Sequence, residues 1–303
     1  MARYPSVMLA ACPTAWDEDY RLDEHHFRRE VQLVIEAGFE HLYVFGTGSE
    51  GYAVDTERFT QVARAFWEEA NRHRPMIGVI GLSNHQVIER LRIAYEIGFR
   101  EFQVSLPSWG PVNDEEMLRF FTGVCGAFPD AAFLHYNLPR TKRVLTGAEY
   151  VRLVQEVPNL VATKNTAGGL PGADDLLRNA PELMHFMGEG NYAHGAMLGS
   201  VGLLATMGEV TPGRCREYLE AGQRRDVKTL FTLQTQFQRI EADIWAKGRP
   251  GPHMDGAYDK MLTKLGMLPD FPLRLLPPYQ GFDDDDYLAM KQVLDGAWRD
   301  WIR

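Results

Sequence analysis

A lysine that closes a run of β-favouring residues is the first place in this chain where chemistry is expected. Leu160, Val161, Ala162 and Thr163 precede Lys164, and a loop rich in Asn, Thr and Gly follows it. That order puts the amine at the C-terminal tip of a strand. On an open surface such a lysine is an ordinary solvated charge. At the tip of a buried parallel strand it is a candidate nucleophile, because desolvation disfavours the ammonium and frees the lone pair. Tyr136 ends another apolar run, and its phenol could move protons if a reactive amine stood nearby. The segment Gly46-Thr47-Gly48-Ser49-Glu50 follows a third run, where glycines free the backbone to turn N–H groups toward a small carboxylate or phosphate. Trp109 lies just after a fourth run, in Leu106-Pro107-Ser108-Trp109. A surface lysine, a core tyrosine and a tight turn explain the same residues unless the fold gathers them.

The elements that would do the gathering are legible as an alternation. Strand-length apolar runs at 7–12, 41–46, 76–81, 101–106, 131–136, 159–164, 183–188 and 201–205 are separated by stretches of helical period at 23–37, 56–71, 84–97, 114–127, 147–157, 173–179 and 193–198. Phe27, Val31, Val34 and Ile35 give the first of these helices one apolar face, and Gly38 stops it. The segments IEAGFEHLYVFG and YEIGFREFQVSL look like copies of one helix, glycine, strand element. Their glycines, Gly38 and Gly98, are 98 − 38 = 60 residues apart, which is two βα units of roughly 30 residues each. Eight such alternations predict an α/β fold, the closed (β/α)8 TIM barrel, rather than a doubly wound sheet of five or six strands. In that barrel all the strand tips converge on one end. Residues 1–212 are then the barrel. Residues 213–303 exceed one last barrel helix, and helical stretches at 214–246, 254–265 and 284–301 predict a C-terminal helical extension packed on the barrel's side or at an oligomer contact.

The bulk properties narrow the partners. Of 303 residues 45% are hydrophobic and 24% charged, enough for a large core. A net charge of −9 argues against a nucleic-acid or anionic-membrane surface, both of which need a positive field. Three scattered cysteines, Cys12, Cys125 and Cys215, fit buried reduced thiols rather than a disulfide framework or zinc site. The histidines form no HExxH or His-x-His pattern, so no metal is expected. Asp283 to Asp286 reads as a solvated acidic helix start, and the glycines at 188 and 190 as a tight turn rather than a phosphate cradle. No apolar run is long enough to span a bilayer, the first residues do not form a signal peptide, and a cytoplasmic location is expected.

Taken together, the motifs resemble those of the dihydrodipicolinate synthase and N-acetylneuraminate lyase family of Schiff-base aldolases and lyases, over residues 1 to roughly 300. The resemblance rests on GTGSE, YNLPRT and NLVATK in that order, with GSVGLLA near the eighth strand as a weaker fourth. The spacing from Tyr136 to Lys164, 164 − 136 = 28, is that of the family. It implies that Lys164 condenses with the keto group of pyruvate or another 2-oxo acid, giving an imine that acts as an electron sink. It also implies that Tyr136 shuttles protons, and that Thr47 with the N–H groups around Gly48 holds the substrate carboxylate. Glu50 is expected to cap a helix start or backbone N–H groups, with bracing of the loop as the alternative. Arg140 falls near the family's carboxylate-binding arginine, although the segment after Tyr136 is one residue short. Where the family reads Thr-Thr-Gly-Glu or Ser-Thr-Gly-Glu, this chain has Thr47, Gly48, Ser49 and Glu50. Trp109 stands where dihydrodipicolinate synthases carry a relay tyrosine, and an indole cannot pass a proton as a phenol does. The expectation is therefore a metal-free, cofactor-free class I lyase or aldolase for a 2-oxo acid, other than dihydrodipicolinate synthase proper. A sugar-acid dehydratase using the same lysine, or a non-catalytic 2-oxo acid binding or sensing barrel, are the alternatives. The expected partners are a small molecule and further copies of the chain, as a homo-oligomer (dimer or tetramer).

Overall fold

Buried parallel strands read as near-continuous apolar runs because both of their faces are covered, and the runs predicted above fold accordingly. The computed structural model describes residues 2–166 and 168–302; Ala167, in the loop predicted after Lys164, lies outside the described residues, as do Met1 and Arg303. Eight strands, β1 (Met8–Ala11), β2 (His41–Val44), β3 (Arg74–Val79), β4 (Glu101–Val104), β5 (Ala132–Asn137), β6 (Leu160–Asn165), β7 (Met184–Gly188) and β8 (Gly202–Leu204), close in sequence order into one parallel barrel. β1 pairs with β8 to complete it. This is the expected (β/α)8 barrel.

Between the strands run α1 (Glu24–Glu36), α2 (Thr56–Ala70), α3 (Asn84–Ile97), α4 (Asp114–Gly126), α5 (Gly147–Glu156), α6 (Gly169–Asn179) and α7 (Glu189–Leu198); α8 (Pro212–Arg224) follows β8. Side chains of Asp23, Asp55, Ser83, Asn113 and Thr146 accept the orphan N–H groups at the starts of α1 to α5, each cap contributing about 1 kcal/mol. Gly38 and Gly98 end α1 and α3 with φ of +86° and +138°, a backbone state that glycine adopts freely.

The period of two along the strands divides the core. Leu9, Tyr43, Met76, Leu134, Ala162, Met184, Phe186 and Leu204 fill the barrel interior with Tyr4, while Leu42, Val44, Phe102, Phe133 and Leu160 face the helices. Tyr4 closes the end opposite the strand tips by hydrogen bonding to His41 and Glu101. At the other end, the C-terminal tips, the interior opens into a cavity.

One predicted element divides. The stretch 214–246 forms two helices, because Arg225 adopts a left-handed conformation (φ 55°) and the Asp226 side chain caps a new start at Thr229 N–H. The resulting α9 (Val227–Trp245) packs on α7 and α8. It is followed by α10 (Asp255–Leu265) and α11 (Asp284–Gly296), the latter capped by Asp283 in a reciprocal box with Asp286. α10 lies against the loop after β2, and a Cβ added to its Gly256 would stand 3.1 Å from the Gly48 carbonyl. No helix among the described residues is long and apolar enough to cross a membrane.

Candidate active site

In β5 and β6 the parallel register pairs Tyr136 with Lys164, so both inward-facing side chains stand at one level of the barrel mouth. Lys164 is 5% exposed. Its Nζ donates to the Tyr43 hydroxyl at 2.6 Å and lies 4.6 Å and 4.3 Å from the ring centroids of Tyr43 and Tyr136. The Tyr136 hydroxyl is 3.3 Å from Thr47 Oγ1. Thr47 is presented by a sharp loop that leaves β2 through Phe45 (φ 63°) and turns again at Glu50 (φ 56°). Lys164, Tyr43, Tyr136, Thr47 and Gly48 share a cavity of about 220 Å³ with Asp255, Tyr258 and Asp259.

The last three come from α10, and a buried ion pair explains how that helix is held. Glu50 is fully buried and accepts from Trp16 Nε1 (2.7 Å), Leu276 N–H (2.7 Å) and Lys260 Nζ (2.6 Å), whose side chain is also fully buried. Glu50 thus ties the loop to the C-terminal extension; it does not cap a helix. With Lys260 pinned, Asp255 and Asp259, four residues apart on one helix face, turn toward the cavity. Asp255 receives both guanidinium arms of Arg140 at 2.7 Å. Asp259 lies over Gly48: an ideal Cβ at that glycine would be 1.4 Å from Asp259 Oδ2.

The electrostatics depart from the simple expectation for a buried lysine. Burial works against the Lys164 ammonium, but Tyr136, Tyr43 and Asp259 outweigh it and hold the amine above the usual lysine range. The lone pair is not freed by desolvation alone. Burial also pushes the Tyr43 phenol up to about 12, against the pull of Lys164. The two aspartates are driven apart. Burial raises Asp255, yet hydrogen bonds from Arg140 and Thr47 leave it below the usual carboxylate range. Burial and then the neighbouring Asp255 push Asp259 up to about 7, with Lys164 opposing.

Of the residues singled out by sequence, Lys164, Tyr136, Thr47 and Gly48 are brought together. Arg140, in the 3-10 turn Pro139–Thr141, stands at the rim and lines an adjoining cavity of about 230 Å³ that also includes Thr47, Tyr136 and Ser108. Trp109 is not brought in: it is 84% exposed and lines neither cavity. The loop after β4 turns outward there, and Lys142 Nζ fixes it by donating to the Trp109 carbonyl at 2.6 Å. At residues 187–191, α7 begins at Glu189, whose buried carboxylate accepts Met207 N–H at 2.8 Å. Burial raises that carboxyl to about 8, and it already occupies an N–H group beside this tip. Sequence reasoning missed Tyr43, Asp255 and Asp259. Tyr43 had a signal, since it sits two residues after His41 on the inward face of a strand. The aspartates had only an i, i+4 spacing, which says nothing of what their helix covers.

A (β/α)8 barrel with a buried lysine at its sixth strand tip, ringed by two phenols and two carboxyls, is built for amine chemistry on a small polar molecule. The chain belongs to the dihydrodipicolinate synthetase family, whose model matches residues 5–289. Among curated proteins it is 24% identical to N-acetylneuraminate lyase from Escherichia coli (strain SMS-3-5 / SECEC) over 235 residues, 77% of this chain and 79% of that protein. Its fold superposes with a TM-score of 0.85 on a prophage protein of the dihydrodipicolinic acid synthase family from E. coli K12 in complex with pyruvate, at 20% identity over 96% and 97% of the two chains. Dihydrodipicolinate synthase from Aquifex aeolicus gives 0.84 at 17% identity, over 96% and 97%. A Clostridium difficile protein, CdNal, in complex with mannosamine also gives 0.84, at 15% identity over 97% and 98%.

Proposed function

We propose that this lyase-family barrel forms an imine between Lys164 and the keto carbon of pyruvate or another 2-oxo acid, and uses it to make or break a bond at the neighbouring carbon. The observation that carries this reading is the Lys164 amine, buried at the mouth with Tyr43 and Tyr136 around it. The N-acetylneuraminate lyase relatives and the pyruvate bound by a protein of similar fold support it. Lys164 first gives up its ammonium proton, the neutral amine adds to the keto carbon, and that proton returns to the carbinolamine hydroxyl. Water leaves, and the resulting iminium draws electrons from the adjacent carbon. The imine is itself the electron sink, so the step calls on neither metal nor organic cofactor. Tyr136, hydrogen bonded to Thr47, moves protons between the imine and the substrate hydroxyl. Thr47 Oγ1 and the Gly48 N–H receive the carboxylate. Arg140 is already occupied by Asp255, and no phenol stands at position 109, so the second substrate differs from that of dihydrodipicolinate synthase proper.

Incubation with pyruvate and borohydride is expected to add mass covalently at Lys164, and Lys164→Ala to abolish the adduct. An adduct elsewhere, or none in the parent protein, overturns the reading. Products from a panel of 2-oxo acids then separate retro-aldol fragments from loss of water.

A further inference from the structure

Asp259 occupies space that almost any other residue at position 48 would claim. A Cβ on Gly48 would meet Asp259 Oδ2 at 1.4 Å and Cγ at 2.6 Å, so the glycine and the aspartate require one another. The carboxyl group therefore stands directly against the Gly48 backbone. It also lines the cavity that contains the Lys164 amine and Thr47. In a 2-oxo acid the carboxylate is bonded directly to the keto carbon. With that carbon at Lys164, the carboxylate must lie near Thr47 and Gly48, against Asp259.

Two carboxylates in contact cannot both stay ionised; one must hold a proton between them. We propose that Asp259, as the neutral acid, donates a hydrogen bond to the carboxylate of the bound 2-oxo acid, so that substrate binding takes up a proton. The proposal rests on the reading of this site as one for 2-oxo acids. The surrounding charges fit it. From its own helix Asp259 faces Asp255, which is committed to Arg140. Lys164 of β6 is the cation that opposes protonation. Tyr43 of β2 and, after β8, Glu209 both interact unfavourably with a charged Asp259, and Tyr136 of β5 lies beyond Lys164. Lys260, next on the helix, is turned away to Glu50. Burial and Asp255 already raise Asp259 to about 7, so an arriving anion shifts it further toward the acid.

Oxamate, which has the shape of pyruvate but does not form an imine, isolates the binding step. Calorimetry in buffers of different ionisation enthalpy is expected to report about one proton taken up per site at pH 8 and almost none at pH 6, with affinity falling about tenfold per pH unit above neutrality. Asp259→Asn keeps a donor that does not titrate. It is expected to bind oxamate with no proton uptake and with an affinity that is flat from pH 6 to 8.5. Oxamate binding by the parent protein without proton uptake, or a wild-type pH slope in Asp259→Asn, overturns the assignment. If a pyruvate adduct still forms at Lys164 in that case, the imine reading stands. Absence of both the adduct and oxamate binding across the pH range overturns both.

Discussion

Lys164 and Tyr136 are paired by strand register, and the proposed reaction gives them different atoms. In it the amine meets the substrate carbon, while the phenol, 3.3 Å from Thr47 Oγ1, handles protons. Tyr136→Phe keeps the ring that packs beside the ammonium and removes only the hydroxyl. Turnover is expected to fall by about 10²–10⁴-fold, the usual worth of a positioned acid or base, while pyruvate still forms a borohydride-trappable adduct. Equal turnover in the variant would show that some other group carries the proton. The lysine was legible only together with the other strand tips and its spacing of 28 residues from Tyr136, since the β-favouring run alone fits a solvated charge. Its electrostatic state was not legible, because Tyr136, Tyr43 and Asp259, which together reverse the effect of burial, come from three other segments of the chain.

At the scale of elements, the loop after β2 and helix α10 behave as one piece joined by Glu50 and Lys260. Removing one member of a fully buried ion pair leaves the other charge without compensation, typically at a cost of about 3–5 kcal/mol. Lys260→Met is expected to destabilise the protein by about that much in urea denaturation and to weaken oxamate binding. Combining it with Glu50→Gln should recover part of the loss, since the stranded carboxylate is then gone. A loss below about 1 kcal/mol in the single variant, of the size an exposed pair contributes, would show that α10 is held by packing alone. From sequence, bracing of its own loop was the lesser reading of Glu50, behind a cap on a helix start or backbone N–H groups. Its partners at 260 and 276 were out of reach of any local pattern, since ion pairing across 210 residues leaves no periodicity to read. The helix break at Arg225 had a local signal, the polar run from Gln223 to Asp226 ending in a cap residue, set between two apolar-periodic stretches.

Across the whole molecule, the closed barrel was readable because buried parallel strands leave apolar runs and glycines at 38 and 98 mark where helices stop. The helix that covers the mouth was not readable, since docking is decided by shape. The same closure traps acids within the fold. Glu30 of α1 is fully buried, and neither of its carboxylate oxygens has a hydrogen-bond partner among the described residues. Burial, and then Glu209, raise it well above the usual glutamate range. The folded state therefore keeps a proton that the unfolded chain releases near its ordinary value. The associated stability is complete below that value and is lost as pH rises toward the folded one, at about 1.4 kcal/mol per pH unit for each proton. Glu30→Gln removes this dependence, and its thermal midpoint is expected to gain on the parent protein from pH 5 to pH 8. Parallel curves would mean that Glu30 is ionised in the fold.

The contact between Glu50 and α10 also sets an order of events at the ribosome. When Lys164 emerges, Glu50 has long been made, but Lys260 and the Leu276 N–H do not yet exist. From Glu50 to Lys260 the chain grows by 260 − 50 = 210 residues, roughly 10 to 40 seconds of synthesis at ordinary elongation rates. Throughout that interval the loop that would receive a substrate carboxylate lacks its anchor, and the cavity lacks the wall bearing Asp255 and Asp259. A nascent chain can therefore carry the Lys164 amine without a finished pocket around it, and the completed cavity appears only once the C-terminal helices have docked.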